Sequence, residues 1–208
     1  MNPNDIIKSY GRLNPHYVNG IHKTIKAALE EHPRTFAIRV DLRLPAYDVV
    51  AATDAGVISR FIDSLKAKIA ADLHRKQKKG IRVHPCTLRY IWVREFDKKE
   101  NKKHYHVFLL LNKDTYAFLG DYRQPEGNLS VLITQAWLSA LRLTGFQHAD
   151  FDYYLLARIP QNPYYYLNAK TLDTDGIYPY LIARVYYMAK ARSKISVDGE
   201  RNFGCSQG

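Results

Sequence analysis

The alternation of apolar and polar residues predicts the first strand of the chain. Residues 34–44 read RTFAIRVDLRL, and an apolar side chain occupies every second position from Phe36 to Leu42. Because successive side chains of a strand point to opposite faces, this pattern predicts a strand with one apolar and one polar face. The polar face carries Arg39, Asp41 and Arg43.

Apolar residues recur every three or four positions in four other segments, which is the spacing of one helix face. Pro33 ends the first segment, Gly80 follows the second, and Asn128 precedes the third as a possible N-cap. The predicted helices cover about residues 16–32, 57–79, 129–141 and 180–194.

Three more strands are predicted between and after these helices. Residues 88–96 and 104–112 are rich in aromatic and branched side chains and flank the charged turn DKKENKK, which predicts a hairpin. Residues 152–159 supply a short fourth strand. The Pro, Asn and Tyr-rich stretch 160–168 that follows is expected to be a loop.

The order strand, helix, strand, strand, helix, strand predicts an α+β fold of the ferredoxin-like split βαβ type, followed by an extra C-terminal helix. In this arrangement an antiparallel sheet carries helices on one face, and we expect the other face to be free for function. The 208 residues suit a single domain. We divide it into a leading helix in residues 1–33, a core in 34–195 and a tail in 196–208.

The charge of the chain favours nucleic acid as a partner. Lysine and arginine total 31 residues against 20 acidic residues, which gives a net charge of +11. An excess of this size attracts polyanions, although a merely basic protein is the alternative. The sequence has no signal-peptide pattern and no apolar run near the roughly 18 residues of a membrane span. We therefore expect a cytoplasmic protein, with no membrane as partner.

A candidate metal site lies at the start of the predicted strand HYHVFLLLN. His104 and His106 are two residues apart, so their imidazoles project from the same face and can converge on one cation. If the hairpin pairs position 95 with position 104, Glu95 stands opposite His104 as an anionic third ligand. Asp41 is a competing third ligand or a partner that orients one histidine. A surface carboxylate that pairs with nearby lysines is the alternative role of Glu95.

The predicted C-terminal helix carries a second candidate group. At about 100° per residue, Tyr187, Lys190 and Lys194 lie opposite the apolar stripe of this helix. A tyrosine with a lysine one turn away can act as an oxygen nucleophile, because the cation stabilises a phenolate or a phosphate. The alternative is a solvated Tyr/Lys face. Tyr186 is the neighbouring candidate, about 100° around the helix toward the apolar side.

Four segments in combination resemble the YagK/YfjJ-type family of inovirus and prophage proteins: WVRE, HYHVFLLLN, YMAKARSK and the tail RNFGCS. That family in turn resembles rolling-circle replication initiators of the HUH endonuclease superfamily. The resemblance extends from about residue 36 to residue 206. It implies that His104, His106 and Glu95 hold a divalent metal, and that Tyr187 is a nucleophile assisted by Lys190.

The resemblance implies an HUH-type endonuclease that nicks and rejoins single-stranded or hairpin origin DNA. Mg²⁺ or Mn²⁺ would polarise the scissile phosphate, and Tyr187 would form a 5′-phosphotyrosyl link. Expected DNA contacts are Arg39, Arg43 and Lys194. Because the sequence has no G-x-x-x-x-G-K-[ST] motif, a host helicase would unwind the duplex and a host polymerase would extend the 3′ end.

Two other functions are compatible with a sheet of this kind. A non-catalytic regulator of a phage or plasmid replicon would bind origin DNA, but it would not need an acidic residue, paired histidines and a tyrosine around one point. An RNA-binding sheet would expose aromatic side chains on its central strands, whereas the expected open face carries histidines and charged residues. These differences favour the endonuclease.

Overall fold

The computed structural model describes residues 2–45, 53–97, 102–120, 127–143, 155–191 and 199–207. They form an α+β fold with an open, antiparallel sheet. The strands are β1 Arg34–Arg43, β2 Arg89–Phe96, β3 Lys103–Asn112, β4 Ala157–Arg158, β5 Tyr164–Asn168 and β6 Phe203–Cys205. The helices are α1 Pro3–Ser9, α2 Pro15–Glu31, α3 Val57–Lys78, α4 Leu129–Ala140 and α5 Ile177–Tyr186. Within these residues, no helix has the length and apolar character that a membrane span requires.

The sheet is built around the three long strands that the sequence predicts. The strand order is β4, β1, β3, β2, β6, and β5 pairs with β1 on the same edge as β4. The predicted fourth strand is confirmed only for Ala157 and Arg158, and residues 152–154 lie outside the described residues. The hairpin of β2 and β3 is confirmed.

The stretch 160–168 is not a loop throughout, because Tyr164–Asn168 forms β5. Its backbone pairs with the first half of β1, and tyrosine is among the residues that favour strands. The hydroxyl of Tyr166 donates a hydrogen bond to the carbonyl of Ala117 (2.8 Å), and its ring stacks on Phe36. These contacts hold β5 against the edge of the sheet.

Helices cover both faces of the sheet, so the expectation of helices on one face and a free second face is wrong. On one face, α3 and α4 pack against a core that includes Phe36, Tyr105 and Trp137. On the other face, α2 and α5 pack against the remaining alternate positions of β1, β2 and β3. These positions are apolar and buried: Ala37, Ile91, Val93, Phe108 and Leu110. The two histidines lie on this second face, toward one end of the strands.

The C-terminal helix is shorter than the predicted segment 180–194. It ends at Tyr186, a 3₁₀ turn covers Tyr187–Ala189, and Lys190 is extended with a ψ of 125°. Lys194 lies outside the described residues.

Backbone hydrogen bonds to the N-terminal segment explain why this helix ends early. The amide of Asn14 donates to the carbonyl of Ala189 (2.8 Å), and the amide of Ala191 donates to the carbonyl of Arg12 (3.0 Å). These groups cannot also make the hydrogen bonds of a continuing helix. The N-terminal segment therefore fixes the position of the turn that contains Tyr187.

The predicted tail contributes the last strand of the sheet. β6 pairs with β2, and Gly204 lies opposite Trp92. Nearby, the fully buried side chain of Arg94 donates from Nε to Asn202 (2.9 Å) and forms an ion pair with Glu200 (2.6 Å). A buried guanidinium needs such partners, so these contacts attach the tail to the sheet.

We predict that Gly204→Ala destabilises the protein. A Cβ atom at position 204 would lie 2.5 Å from Cε2 of Trp92, which is only 6% exposed and has little room to move. Overpacking of this kind costs about 1–3 kcal/mol of unfolding free energy, and each kcal/mol lowers the Tm of a domain this size by about 2–4 °C. Gln207→Ala, at an exposed position, is the control. Equal melting temperatures for the two variants would contradict the close packing.

Candidate functional site

The pairing of β2 with β3 brings the three predicted ligands together. Glu95 lies directly opposite His104, which is the hairpin register that would make Glu95 a third ligand. His106 follows two residues later on the same face. One ligand atom from each of the three residues lies within 4.8 Å of the other two. The structure therefore confirms that these side chains converge.

The geometry of the three side chains suits a divalent cation. Glu95 and His106 are both 7% exposed, whereas His104 is more open to solvent. Oε2 of Glu95 lies 3.3 Å from Nε2 of His106. Two adjacent ligands that each lie about 2.1 Å from one ion are about 3 Å apart, so this spacing is close to that of a shared metal.

Asp41 and Glu95 contact different nitrogen atoms of the His106 ring. Its Oδ1 lies 2.7 Å from Nδ1 of His106. Nη2 of Arg39 is also 2.9 Å from this nitrogen, but Nδ1 cannot donate to one group and accept from the other at once. The shorter contact to a carboxylate favours donation to Asp41, which leaves the lone pair of Nε2 facing Glu95. Of the two roles predicted for Asp41, the geometry supports that of the orienting partner.

The pKa shifts of Asp41 and His104 agree with a cation site. Burial alone would raise the pKa of Asp41, but hydrogen bonds and charges from His106 and Arg39 outweigh it and lower this pKa to about 2. Burial lowers the pKa of His104, and the neighbouring His106 lowers it further. Asp41 is therefore ionised, and His104 favours the neutral form that can donate a lone pair to a metal.

Tyr187 lies next to this group of ligands. Its ring is half-buried and meets the ring of His106 edge to face, with 5.8 Å between the centroids. Nζ of Lys190 lies 3.4 Å from the centroid of the Tyr187 ring, and the guanidinium carbon of Arg39 lies 5.6 Å from it. Two cations therefore flank the ring of the tyrosine.

The 3₁₀ turn explains how Tyr187 and Lys190 meet although the predicted helix ends before them. A 3₁₀ helix has three residues per turn, so positions 187 and 190 are aligned one above the other. The side chain of Lys190 is 9% exposed, which is low for a lysine. A solvated Tyr/Lys face, the alternative for this segment, does not fit this burial.

Tyr186 points away from the candidate metal ligands. Its hydroxyl is hydrogen-bonded to the imidazole of His22 on α2, and the two rings meet edge to face. Burial raises the pKa of Tyr186, which makes its phenolate less accessible. Of the two adjacent tyrosines, only Tyr187 contacts a predicted metal ligand.

Tyr10 is part of the site, and the sequence reasoning did not identify it. Its ring meets that of Tyr187 edge to face at 5.7 Å, and Nζ of Lys190 lies 5.7 Å from its centroid. Burial raises the pKa of Tyr10, and the charges of Arg184 and Arg39 oppose this effect. The sequence contains only an indirect indication of this role. Asn-Pro pairs at 2–3 and 14–15 mark the starts of α1 and α2, and Tyr10 lies between these two helices.

The two predicted DNA contacts on β1 occupy different surroundings. Arg39 is largely enclosed by Asp41, His106 and Tyr187, so it is a component of the site. Arg43 pairs with His104 across β1 and β3 and lines an open groove beside it. Of these two arginines, only Arg43 lines a surface that a long ligand can reach.

We predict that His106→Ala lowers the affinity for Mn²⁺ by at least about tenfold, because one of three protein ligands is lost. Asp41→Asn should also weaken binding, by about 10–100-fold, because the orienting carboxylate is lost while every ligand remains. Isothermal titration calorimetry with Mn²⁺ measures both effects. His74→Ala, an exposed histidine on α3, is the control. Unchanged affinity in His106→Ala would contradict the site.

Comparisons with known proteins identify the family of this chain. The YagK/YfjJ C-terminal domain matches residues 1–206, so the match includes α1 and α2. The uncharacterized protein YagK of Escherichia coli (strain K12) is 40% identical over 198 residues, which cover 92% of each chain. The uncharacterized protein YfjJ of the same strain is 40% identical over 201 residues, which cover 92% of this chain and 94% of YfjJ. No solved structure matches at a significant level. The chain belongs to the YagK/YfjJ C-terminal domain family.

Proposed function

We propose that the protein is a rolling-circle replication initiator of the HUH endonuclease type, which nicks and rejoins single-stranded DNA through a phosphotyrosyl intermediate. The observation that carries this proposal is the contact of Tyr187, whose ring lies against Lys190, with His106 in the group of Glu95, His104 and His106. These residues come from distant parts of the chain. A regulator that only binds DNA would not need an acid, two imidazoles and a cation-flanked tyrosine at one place.

The connectivity of the sheet supports the same proposal. The elements β1, α3, β2, β3, α4 and β4 follow one another in the chain, and the four strands are ordered β4, β1, β3, β2 in an antiparallel sheet. We interpret this order as a ferredoxin-like split βαβ unit. In this interpretation α2 and α5 are additions that cover the second face and deliver Tyr187 to one end of it.

The residues present fit Mg²⁺ or Mn²⁺. A carboxylate oxygen suits both ions, and two imidazole nitrogens favour Mn²⁺. When bound, the ion would polarise the phosphate and offset part of its negative charge. The residues of the chain would supply the remaining steps.

Tyr187 would attack the phosphorus atom with its phenolate oxygen. One O–P bond forms, and the bond from phosphorus to the 3′ oxygen breaks. The released strand takes up a proton and ends in a 3′-hydroxyl, while the 5′ phosphate of the other strand stays on the tyrosine. Lys190 lies against the ring and would stabilise negative charge on the phenolate and the phosphate. Attack by a 3′-hydroxyl on the phosphotyrosine would reverse the reaction and rejoin the strand.

The proposed reaction implies a DNA substrate and additional protein partners. The net charge of +11 favours a DNA strand as substrate. A nicked origin must also be unwound and extended, and the sequence has no nucleotide-binding P-loop motif. A host helicase and polymerase in the bacterial cytoplasm would supply these steps.

We predict a covalent protein–DNA adduct that depends on Mn²⁺ and on Tyr187. The probe is a pool of single strands with a random central region and a label at the 3′ end, so that the label stays with the protein after attack. A denaturing gel should show a labelled protein band for the wild type. Tyr187→Phe should reduce it by about 10³-fold or more, because the nucleophilic oxygen is removed.

The matched control for this experiment is Tyr186→Phe, which removes the adjacent hydroxyl but should keep the adduct. If Tyr186→Phe loses the adduct and Tyr187→Phe keeps it, the assignment of the nucleophile is wrong. If no adduct forms on any strand while the protein still binds the pool, the result supports the non-catalytic regulator.

We also predict that Lys190→Met slows adduct formation by about 10²-fold, because one charge that stabilises the transition state is lost. Single-turnover rates with saturating DNA measure this effect apart from binding. Lys8→Met removes the same charge from an exposed position on α1 and should leave the rate unchanged. Equal rates for the two variants would show that Lys190 has only a structural role.

A further inference from the structure

A groove of about 600 Å³ adjoins the candidate metal centre at its more exposed end. Its walls include His104 and Arg43, which pair at the ends of β1 and β3. Tyr187 instead contacts His106 and Arg39, which lie further into the sheet. Positions 104 and 106 are two residues apart, which corresponds to about 7 Å along β3. The groove adjoins the ligand group at His104 and the tyrosine adjoins it at His106, so the two lie on opposite sides of the group.

The groove combines positive charge with an apolar wall. Of its eight lining residues, none is acidic and three are leucines. Leu155 is 52% exposed, so its apolar surface is accessible to a ligand in the groove. Arg43, Lys102 and Arg158 supply positive charge to the lining, whereas Lys103 is 3% exposed and pairs with Glu200 (3.5 Å). The ligand that fits such a groove is an anion with an apolar surface.

Arg43 gives a second, independent indication of an anionic ligand. Its Nε atom is buried and has no hydrogen-bond partner among the described residues. Buried N–H groups in proteins are nearly always paired, so this atom calls for an acceptor. The atom is enclosed in this conformation, so a phosphate oxygen in the groove would reach it only after the Arg43 side chain turns.

An unpaired nucleotide meets these requirements. Its phosphate carries the negative charge, and its base and sugar present apolar surface to the leucines. A volume of about 600 Å³ lies in the range of pockets that enclose one small molecule, and it is too small for a duplex.

We propose that this groove holds the nucleotide on the 5′ side of the scissile phosphate, the one that departs with the new 3′-hydroxyl. The inference rests on the proposed function. In phosphoryl transfer the attacking and leaving oxygens lie roughly in line, on opposite sides of phosphorus. With Tyr187 on one side of the ligand group, the leaving nucleotide lies on the other side, where the groove is.

The first test measures binding without cleavage. A fluorescein-labelled strand of eight thymidines is titrated in EDTA at several salt concentrations, with anisotropy as the signal. Arg158→Ala should weaken binding about fivefold and reduce the slope of log K against log salt by about 1, because one phosphate contact is lost. Leu155→Ser should weaken binding without changing this slope. Both positions are exposed, so both variants should fold.

The control for the binding test is Arg82→Ala, which removes an exposed arginine that does not line the groove. If Arg158→Ala and Arg82→Ala bind the strand equally well, the groove does not hold nucleic acid. This result is independent of adduct formation, so it distinguishes failure of the groove from failure of the proposed nicking reaction.

The second test locates the nucleotide. Strands that form the adduct are resynthesised with 5-iododeoxyuridine directly 5′ or directly 3′ of the nick, and they are cross-linked to Tyr187→Phe by light. The 5′ analogue should attach within residues 102–104 or 155–158, and the 3′ analogue should attach elsewhere. Cross-linking of the 3′ analogue to these residues would overturn the proposed orientation.

Discussion

The antiparallel pairing of β3 with β1 and β2 is the constraint on which the site depends. It sets Glu95 opposite His104 on one side and Asp41 opposite His106 on the other. A shift of either neighbouring strand by one residue would turn its carboxylate to the opposite face of the sheet. The same register places Phe108 and other apolar residues of this face against α2 and α5. The packing that stabilises the second face therefore also holds the ligands in position.

His106 connects the two halves of the site. Its Nδ1 faces Asp41, its Nε2 faces Glu95, and its ring contacts Tyr187. The hydrogen bond at Nδ1 and the contact with Tyr187 fix the orientation of the ring, which would give a metal a defined ligand atom in Nε2. The turn that carries Tyr187 is held from a different direction, by backbone hydrogen bonds to residues 12–14. The site thus depends on contacts between the first and last parts of the chain, in agreement with a family match that starts at residue 1.

Local patterns in the sequence predicted much of this structure, and long-range contacts account for what they missed. The periodicity of apolar residues predicts the strands β1 to β3 and the helices α2 to α4. The short hairpin predicts the approach of Glu95 to His104. The second layer of helices did not follow from the alternation of β1, although the unbroken apolar run after His106 is typical of a strand buried on both faces. The early end of α5 and the contact with Tyr10 depend on pairing between residues almost a whole chain apart, which no local pattern encodes.

We propose that Tyr187 exchanges a phosphodiester bond with DNA beside a metal held by β2 and β3. Mass spectrometry of the adduct after nuclease and trypsin treatment tests it most directly. Cleavage after Arg184 and Lys190 releases the peptide VYYMAK, which contains both adjacent tyrosines. Fragmentation of this peptide should place the nucleotide mass on Tyr187. A nucleotide on Tyr186, on Tyr10 or on any other residue would contradict the account.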